Sequence, residues 1–222
     1  MCGRYALHSR PEVVALAFGI DPAAGAMPQY APRYNIAPTT PVLAVREPGG
    51  VREGALLRWG LVPRWAKDPS MGARMNNARA ETVAEKPSFR EAFRRRRCLI
   101  PADGFFEWKP EGGVKQPYYI TPSAGGLFAF AGLWEEWQGP EGPLQTCCVV
   151  TTDANGPMAA VHERMPVMIE KADWARWLEC RPGNDVADLL HAPPDDAIAI
   201  RRVSRAVNNA RNDLPQLIEP ED

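Results

Sequence analysis

The chain has 222 residues, of which 45% are hydrophobic and 24% are charged, and its formal net charge is −1. This length and composition are ordinary for a globular protein that buries one large core. The sequence contains no run of about eighteen apolar residues, and its start lacks the basic region and apolar segment of a secretory signal. We therefore expect a cytoplasmic protein with no membrane contact.

The cysteine pattern argues against both a disulfide framework and a zinc site. There are five cysteines, an odd number, and no CxxC pair. Three scattered histidines do not suggest a metal site either, and we expect neither a metal nor a cofactor. Phosphate-loop, dinucleotide-binding, HExxH and GxSxG motifs are all absent. We expect most cysteines to be reduced and buried, with Cys2 as the exposed exception because it lies beside the chain start.

Two segments resemble the start of a helix. Ser9 and Glu12 have the spacing of a capping box before an apolar run that Gly19 can end. Ser88 and Glu91 repeat this spacing ahead of a helix that reaches a run of four arginines. Two further helices are predicted over 172–180 and 184–191.

Short apolar runs between these helices predict many strands. They cover 42–45, 55–62, 97–100, 104–108, 117–121, 127–134, 146–152, 166–169 and 199–203. Many short strands with few helices predict an α+β fold, built on a curved, largely antiparallel and barrel-like sheet with peripheral helices. Proline and glycine are spread evenly rather than concentrated in a linker, so we expect one domain over 1–222, with a disordered acidic tail over 215–222.

Charge is distributed unevenly. Between Arg58 and Arg97 there are eleven Lys or Arg against four acidic residues, a net charge of +7, whereas the C-terminal quarter is acidic. One interpretation is a surface that binds a polyanion. The other is that the run at 94–97 is the solvated end of a helix, where cations oppose the helix dipole. The sequence favours neither.

Three polar residues or clusters lie in unusual contexts. Asn77 and Arg79 are part of a polar cluster that can orient a ligand and bind phosphate, although a turn entering a helix is the commoner explanation. Strand alternation puts Glu107 on the face of Phe105, where burial would suit it to proton transfer; alternatively it is an exposed residue paired with Lys109. His162 precedes an apolar strand and is either a structural residue or an acid/base group.

Eight fragments together resemble one family. They are MCGRY at the start, RYNIAP at 33–38, WGLVPRWA at 59–66, NARAET at 77–82, EKPSFREAF at 85–93, CLIPADGFFEW at 98–108, VHERMP at 161–166 and VSRAVNN at 203–209. In this order, and over nearly the whole chain, they resemble the SRAP domain, the family of SOS response-associated peptidases that sense abasic sites in DNA.

The resemblance implies covalent capture of abasic sites in single-stranded DNA. Removal of Met1 would leave Cys2 with a free α-amine and a thiol on one residue. An α-amine has a pKa near 7.7, so it can form a Schiff base at neutral pH, and the thiol can then close a thiazolidine. The family further implies weak lyase and self-processing peptidase activities. We expect a monomer that associates with the nucleoid when it acts on DNA.

Matching motifs also imply roles for individual residues. His162 would help open the sugar ring, Glu107 would handle protons of the amine, and Asn77 would orient it. The implied phosphate contacts are Arg79, Arg4, Arg164 and, with a lysine where an arginine would be more typical, Lys86. The residues that would stack on bases or wedge between them are Trp65, Trp108 and Pro38.

Two other functions remain open at this stage. Met-Cys-Gly also begins the class II glutamine amidotransferases, whose processed cysteine attacks an amide. Their glutamine-pocket motifs are not visible in the sequence. A noncovalent single-strand binding module would need only the arginines and tryptophans.

Overall fold

The computed structural model describes residues 2–221 and has the predicted α+β architecture, with two sheets and short peripheral helices. Four α-helices are present among the described residues: α1 (Pro11–Phe18), α2 (Arg90–Arg95), α3 (Gly156–Ala159) and α4 (Trp174–Leu178). The first sheet contains β1 (Arg4–Leu7), β2 (Arg33–Ile36), β7 (Gly104–Glu111), β8 (Val114–Pro122) and β12 (Ile198–Arg202), in the order β12-β8-β7-β1-β2.

The second sheet closes on itself. It contains β3 (Pro41–Arg46), β4 (Glu53–Trp59), β5 (Asn77–Arg79), β6 (Arg97–Ala102), β9 (Phe128–Gly139), β10 (Gly142–Asp153) and β11 (Arg164–Pro166). Because β10 pairs with both β4 and β9, strands β10, β4, β3, β6 and β9 form a ring, which confirms the barrel-like core. The pairings are antiparallel except those of β10 with β4 and with β5.

The structure corrects the predicted helices. Ser9 caps nothing, because its hydroxyl and amide both donate to Asp103, and Arg10 occupies the cap position of α1. Gly19 does end α1, with φ of 66°. The second capping box also fails, since the cap position of α2 is Phe89. The segment 172–180 splits into a 3-10 turn and α4, and only Ala187–Leu189 of 184–191 is helical.

Two other predictions also change. The NARAET segment begins as strand β5, paired in parallel with β10, rather than as a turn entering a helix. The tail expected to be disordered forms a 3-10 helix at Pro215–Ile218, where Leu217 is buried. The amide of Glu221 donates to the carbonyl of Arg202, so pairing continues to the end of the described chain.

The segment 203–221, called the C-terminal strap below, packs on the first sheet through Val203, Val207 and Leu217, and Asn35 of β2 binds it. The Nδ2 of Asn35 donates to the carbonyls of Val207, Asn209 and Asn212 at 3.1, 3.1 and 2.8 Å. Its Oδ1 accepts from Arg4 at 2.8 Å. One buried amide therefore satisfies several groups that folding removes from water.

Replacing Asn35 by alanine should destabilise the fold by about 2–4 kcal/mol, because three backbone carbonyls and the Arg4 guanidinium each lose a hydrogen bond. Urea denaturation followed by circular dichroism measures this change. Asn209→Ala is the matched control, since that side chain is exposed, and it should change the unfolding free energy by less than about 0.5 kcal/mol. Equal effects of the two substitutions would contradict the assignment.

Candidate active site

Cys2 lies inside the protein rather than on its surface, contrary to the expectation from its place near the chain start. Its residue is 0% exposed, and Cys180 is instead the partly exposed cysteine. The chain enters the core here because β1, which follows at once, is paired between β2 and β7. Burial raises the pKa of the Cys2 thiol well above its usual range, and the nearby charge of Glu107 raises it further. The thiol is therefore held in its protonated form.

The amide of Asn77 fixes the backbone of Cys2. Its Nδ2 donates to the Cys2 carbonyl at 2.8 Å, and Asn76 reaches the same oxygen at 3.5 Å. Pairing of β5 with β10 sets the position of Asn77, and the indole of Trp59 donates to the Asn76 carbonyl at 2.8 Å. The Oδ1 of Asn77 is buried and has no hydrogen-bond partner within the described chain. It is thus an acceptor suited to an amine.

Glu107 is buried on the inner face of β7, as strand alternation predicted. Phe105 belongs to the main core, whereas Phe106 and Trp108 pack in a smaller cluster on the other side of the strand. Glu107 is only 3% exposed, and its pKa is raised by that burial, although the charge of His162 opposes the rise. The alternative of an exposed glutamate paired with Lys109 is wrong, because Lys109 pairs with Glu111.

His162 faces Glu107. The distance from its Nε2 to Oε2 of Glu107 is 4.0 Å. Its Nδ1 lies 3.0 Å from the backbone nitrogen of Arg164 and 3.2 Å from the Arg164 carbonyl, so the Arg164 backbone offers it both a donor and an acceptor. The Arg164 backbone therefore orients the ring.

An open pocket of about 600 Å³ adjoins His162. Its lining contains Thr82, two arginines and three carboxylates: Arg79, Arg164, Glu81, Asp153 and Glu163. Arg164 binds Glu81 and Asp153. The Arg79 side chain is exposed and makes no hydrogen bond or ion pair with residues 2–221. Arg79 is therefore the lining cation that is left to bind an anion beside the histidine.

Arg164 is already occupied by carboxylates. Its guanidinium binds Glu81 through two nitrogens at 2.7 and 3.0 Å, Asp153 at 2.5 Å and the Thr151 carbonyl at 2.7 Å. These bonds hold the segment after β5 against β10 and keep the Arg164 backbone under His162. Its predicted contact with phosphate stays a prediction, and the structure gives it a local structural role first.

The remaining predicted residues divide into two groups. Arg4 donates to the Val207 carbonyl and lies 5.8 Å from the ring centre of Trp108, whose indole donates to Asn208 at 2.6 Å. Both are thus bound to the C-terminal strap. Trp65 and Lys86 are exposed, and Pro38 is half-buried before Thr39, which has φ of 72°. Within residues 2–221, no hydrogen bond or ion pair joins these three residues to Cys2.

The structure thus brings together Cys2, Asn77, Glu107 and His162 from four distant parts of the sequence. The predicted site did not include two residues that support it. They are Trp59, which donates to the Asn76 carbonyl, and Asp153, which binds Arg164. Trp59 lies in the WGLVPRWA fragment that the family resemblance singled out, whereas nothing in the sequence points to Asp153. Among residues 2–221, no group of three His, Cys, Asp or Glu residues is arranged to hold a metal ion. Within the same range, no helix has the length and apolar character needed to cross a membrane.

Fold and site define a class of α+β protein that holds a cysteine from the chain start against a buried glutamate and a histidine. The family model for SOS response associated peptidase (SRAP) matches residues 1–210, and the chain belongs to this family. It is 43% identical to the abasic site processing protein YoqW of Bacillus subtilis, over 99% of both chains. It is 33% identical to the abasic site processing protein HMCES of Xenopus tropicalis, over 85% of this chain and 66% of that relative.

Solved structures share the fold. A protein from Bacteroides thetaiotaomicron superposes with a TM-score of 0.86 at 24% identity, covering 99% of this chain and all of its own. A phage-related protein from Bordetella bronchiseptica is 30% identical, with a TM-score of 0.71, over 92% of this chain and 95% of that protein. The family suggested by the eight sequence fragments is therefore confirmed, and so is its fold.

The raised pKa of Glu107 predicts how stability depends on pH. Below the usual pKa of a glutamate, the Glu107 carboxyl is neutral in both the folded and the unfolded chain. Its full contribution to the free energy of unfolding is then present. The contribution is lost as pH rises through the raised folded-state value, because the unfolded chain ionises first. Glu107→Gln should therefore gain stability relative to the wild type as pH rises above the usual pKa of a glutamate, about 4.3. Urea denaturation at several pH values checks this, and parallel curves for the two proteins would refute it.

Proposed function

We propose that the chain processes abasic sites in single-stranded DNA by capturing them covalently through Cys2. Abasic-site processing is the activity in the names of YoqW and HMCES. The observation that carries the finer proposal is the placement of Cys2: buried, held by Asn77 and adjacent to a glutamate–histidine pair. An amine and a thiol at that position form a trap for an aldehyde, which an abasic sugar exposes when its ring opens.

The chemistry balances with loss of one water. After removal of Met1, the α-amine of Cys2 attacks C1′ of the open sugar, and the resulting carbinolamine expels water to give an imine. The Cys2 sulfur then adds to the imine carbon, and the thiol proton passes to the nitrogen. The product is a five-membered thiazolidine. The aldehyde makes the hydrogens on its neighbouring carbon acidic, and their loss starts strand cleavage by β-elimination. Because the aldehyde is consumed, this route to cleavage is closed.

The pKa shifts favour the order in which the two nucleophiles react. Burial keeps the Cys2 thiol protonated, so the amine is the better nucleophile for the first step. Burial also raises the pKa of Glu107, which suits this carboxyl to exchange protons with the amine and the thiol. His162, which lies 4.0 Å from Glu107 and lines the pocket, supplies the acid that opens the sugar ring.

Single-stranded DNA is the substrate whose abasic sugar can enter this site with the smallest loss of free energy. The sugar must be extruded to reach a buried residue, and no base pair has to be broken in single-stranded DNA. Arg79 at the pocket is the phosphate contact that the geometry supports best. Because the imine precedes ring closure, a minor lyase activity accompanies capture. We place this activity in the cytoplasm, at the nucleoid.

The amidotransferase alternative requires the thiol of the same cysteine, rather than its amine, to react first. In that class the thiol attacks an amide while its own α-amine acts as the base. A buried thiol with a raised pKa, next to a carboxyl that disfavours the thiolate, is a poor first nucleophile. The charge arrangement therefore favours an amine-first reaction with an aldehyde.

Incubation with an oligonucleotide carrying one abasic site should give a product that resists denaturation. Cys2→Ala should abolish this product, yet borohydride should still trap an imine, because alanine also permits removal of Met1. Denaturing gels measure both. Glutamine hydrolysis without any adduct would support the amidotransferase, and a DNA complex lost on denaturation would support simple binding.

Substitutions of the two proton-transfer groups should slow capture without weakening DNA binding. Glu107→Gln and His162→Gln should each lower the rate of adduct formation about 10²- to 10⁴-fold, the usual contribution of a positioned acid or base. Single-turnover kinetics with the abasic oligonucleotide give the rate, and anisotropy with undamaged DNA gives the affinity. A variant that reacts at the wild-type rate would remove its residue from the mechanism.

A further inference from the structure

The backbone pairing between β1 and β7 stops before it reaches the reactive residues. The ladder joins residues 4–6 to residues 104–106. Cys2 precedes this ladder and Glu107 follows it, so no β1–β7 bridge within residues 2–221 joins these two residues. On the inner side, the Asn77 amide binds the Cys2 carbonyl at 2.8 Å. The separation of Cys2 from Glu107 therefore depends on contacts other than the pairing of their strands.

The C-terminal strap binds both strands at the point where their pairing ends. Trp108, which follows Glu107 directly, donates from its indole nitrogen to Oδ1 of Asn208 at 2.6 Å. Arg4 is the first residue of β1, and its guanidinium donates to the Val207 carbonyl at 2.8 Å and to the Asn208 carbonyl at 3.4 Å. The same guanidinium lies 5.8 Å from the centre of the Trp108 ring. Two neighbouring strap residues thus hold both strand ends together.

This part of the strap is itself anchored. Val207 is buried. The Asn35 amide donates to the carbonyls of Val207 and Asn209, each at 3.1 Å. Asn208 lies between these two anchored residues and ends a short 3-10 helix, Arg205–Asn208. A group on a fixed support can position its partner, whereas a group on a mobile support cannot.

The hydrogen bond between Asn208 and Trp108 contributes little to stability. Asn208 is exposed, so in its absence water can accept from the indole nitrogen and the net loss is small. Water cannot hold the ring in one place, however, and Glu107 is the next residue on the same backbone. A displacement of about 1 Å can cost a reaction about 10²-fold in rate. The bond therefore matters more for the position of Glu107 than for folding.

We propose that Asn208 is a positioning residue for the capture reaction. It holds Trp108 beside Arg4 and touches neither the substrate nor the reacting atoms. Through this contact it keeps Glu107 at a fixed distance from Cys2. This inference rests on the proposed function, and it extends the site to a fifth segment, the C-terminal strap. It also gives Arg4 and Trp108, which the sequence suggested for DNA contact, a common role within the protein.

Three variants of the strap separate positioning from a general loosening. Asn208→Ala removes the acceptor, whereas Asn208→Asp keeps an acceptor oxygen in the same place. Asp213→Ala is the matched control, because Asp213 binds the strap to β2 by accepting from the amides of Tyr34 and Asn35. Single-turnover capture of an abasic oligonucleotide over a range of protein concentrations gives the maximal rate and the concentration for half-saturation. Thermal unfolding measures the stability of each variant.

Asn208→Ala should lower the maximal rate about 10- to 100-fold and leave the half-saturation concentration within about twofold of the wild type. Asn208→Asp should restore most of that rate. Asp213→Ala should lower the unfolding temperature by more than Asn208→Ala does, yet capture at close to the wild-type rate. Equal rate losses in Asn208→Ala and Asp213→Ala would overturn the proposal, and so would a loss that Asn208→Asp does not restore. A weaker half-saturation at an unchanged maximal rate would make Asn208 a DNA contact instead.

A double-mutant cycle tests the named partner. Trp108→Phe removes the indole N–H and keeps an aromatic ring beside Arg4, so it should slow capture about as much as Asn208→Ala does. If the two residues act through one hydrogen bond, the double variant should be no slower than the slower single variant. Additive losses would overturn the assignment to this bond.

Alkylation in the absence of DNA distinguishes this inference from the proposed function. Cys2 is 0% exposed, so iodoacetamide reaches its thiol only when the strand ends move apart. Peptide mass spectrometry should show that Asn208→Ala speeds alkylation of Cys2 about tenfold, with no change at the buried Cys98. Unchanged alkylation of Cys2 would overturn the positioning role. Failure of the wild type to form any adduct would instead refute covalent capture, and the alkylation rates would still decide the role of Asn208.

Discussion

The site depends on one constraint: the second residue of the chain must be held as firmly as a core residue. Chain termini are normally the least ordered part of a domain. Here the strand that begins at Arg4 is paired on both sides, and the Asn77 amide binds the Cys2 carbonyl at 2.8 Å. In the proposed reaction, a nucleophile fixed in this way loses little further freedom when it meets a substrate, and such positioning is a major source of catalytic rate.

Burial of the same residue also determines the proton chemistry. Removal from water keeps the Cys2 thiol protonated and raises the pKa of Glu107, so burial favours the neutral form of both groups. His162 is oriented by the Arg164 backbone, and the Arg164 guanidinium is bound by Glu81 and Asp153. An arginine that sequence alone suggests for phosphate thus first serves to keep the histidine facing the glutamate.

Sequence patterns predicted the fold class, the longer strands and the strand face on which Glu107 lies, because these depend on local alternation of apolar residues. Whether that face was buried stayed open until the tertiary structure placed it against the core. Strands β1, β2 and β5 were missed because each is only three or four residues long. Ser9 failed as a cap because Asp103, distant in sequence, competes for it. The ring closed by β10 and the 4.0 Å approach of His162 to Glu107 are long-range pairings without a local signal. The same holds for the arginine run: Arg95 and Arg96 pair with Glu91 and Glu135, Arg97 is buried, and Arg94 is exposed without an ion pair inside residues 2–221.

The mass of the intact adduct tests the central claim most directly. A preparation containing both the processed chain and the chain that retains Met1 is mixed with an abasic oligonucleotide. The account predicts that only the chain beginning at Cys2 is consumed, and that the product weighs the sum of both molecules less one water. Equal consumption of the chain that retains Met1, or an adduct mapped to a peptide without Cys2, would contradict it.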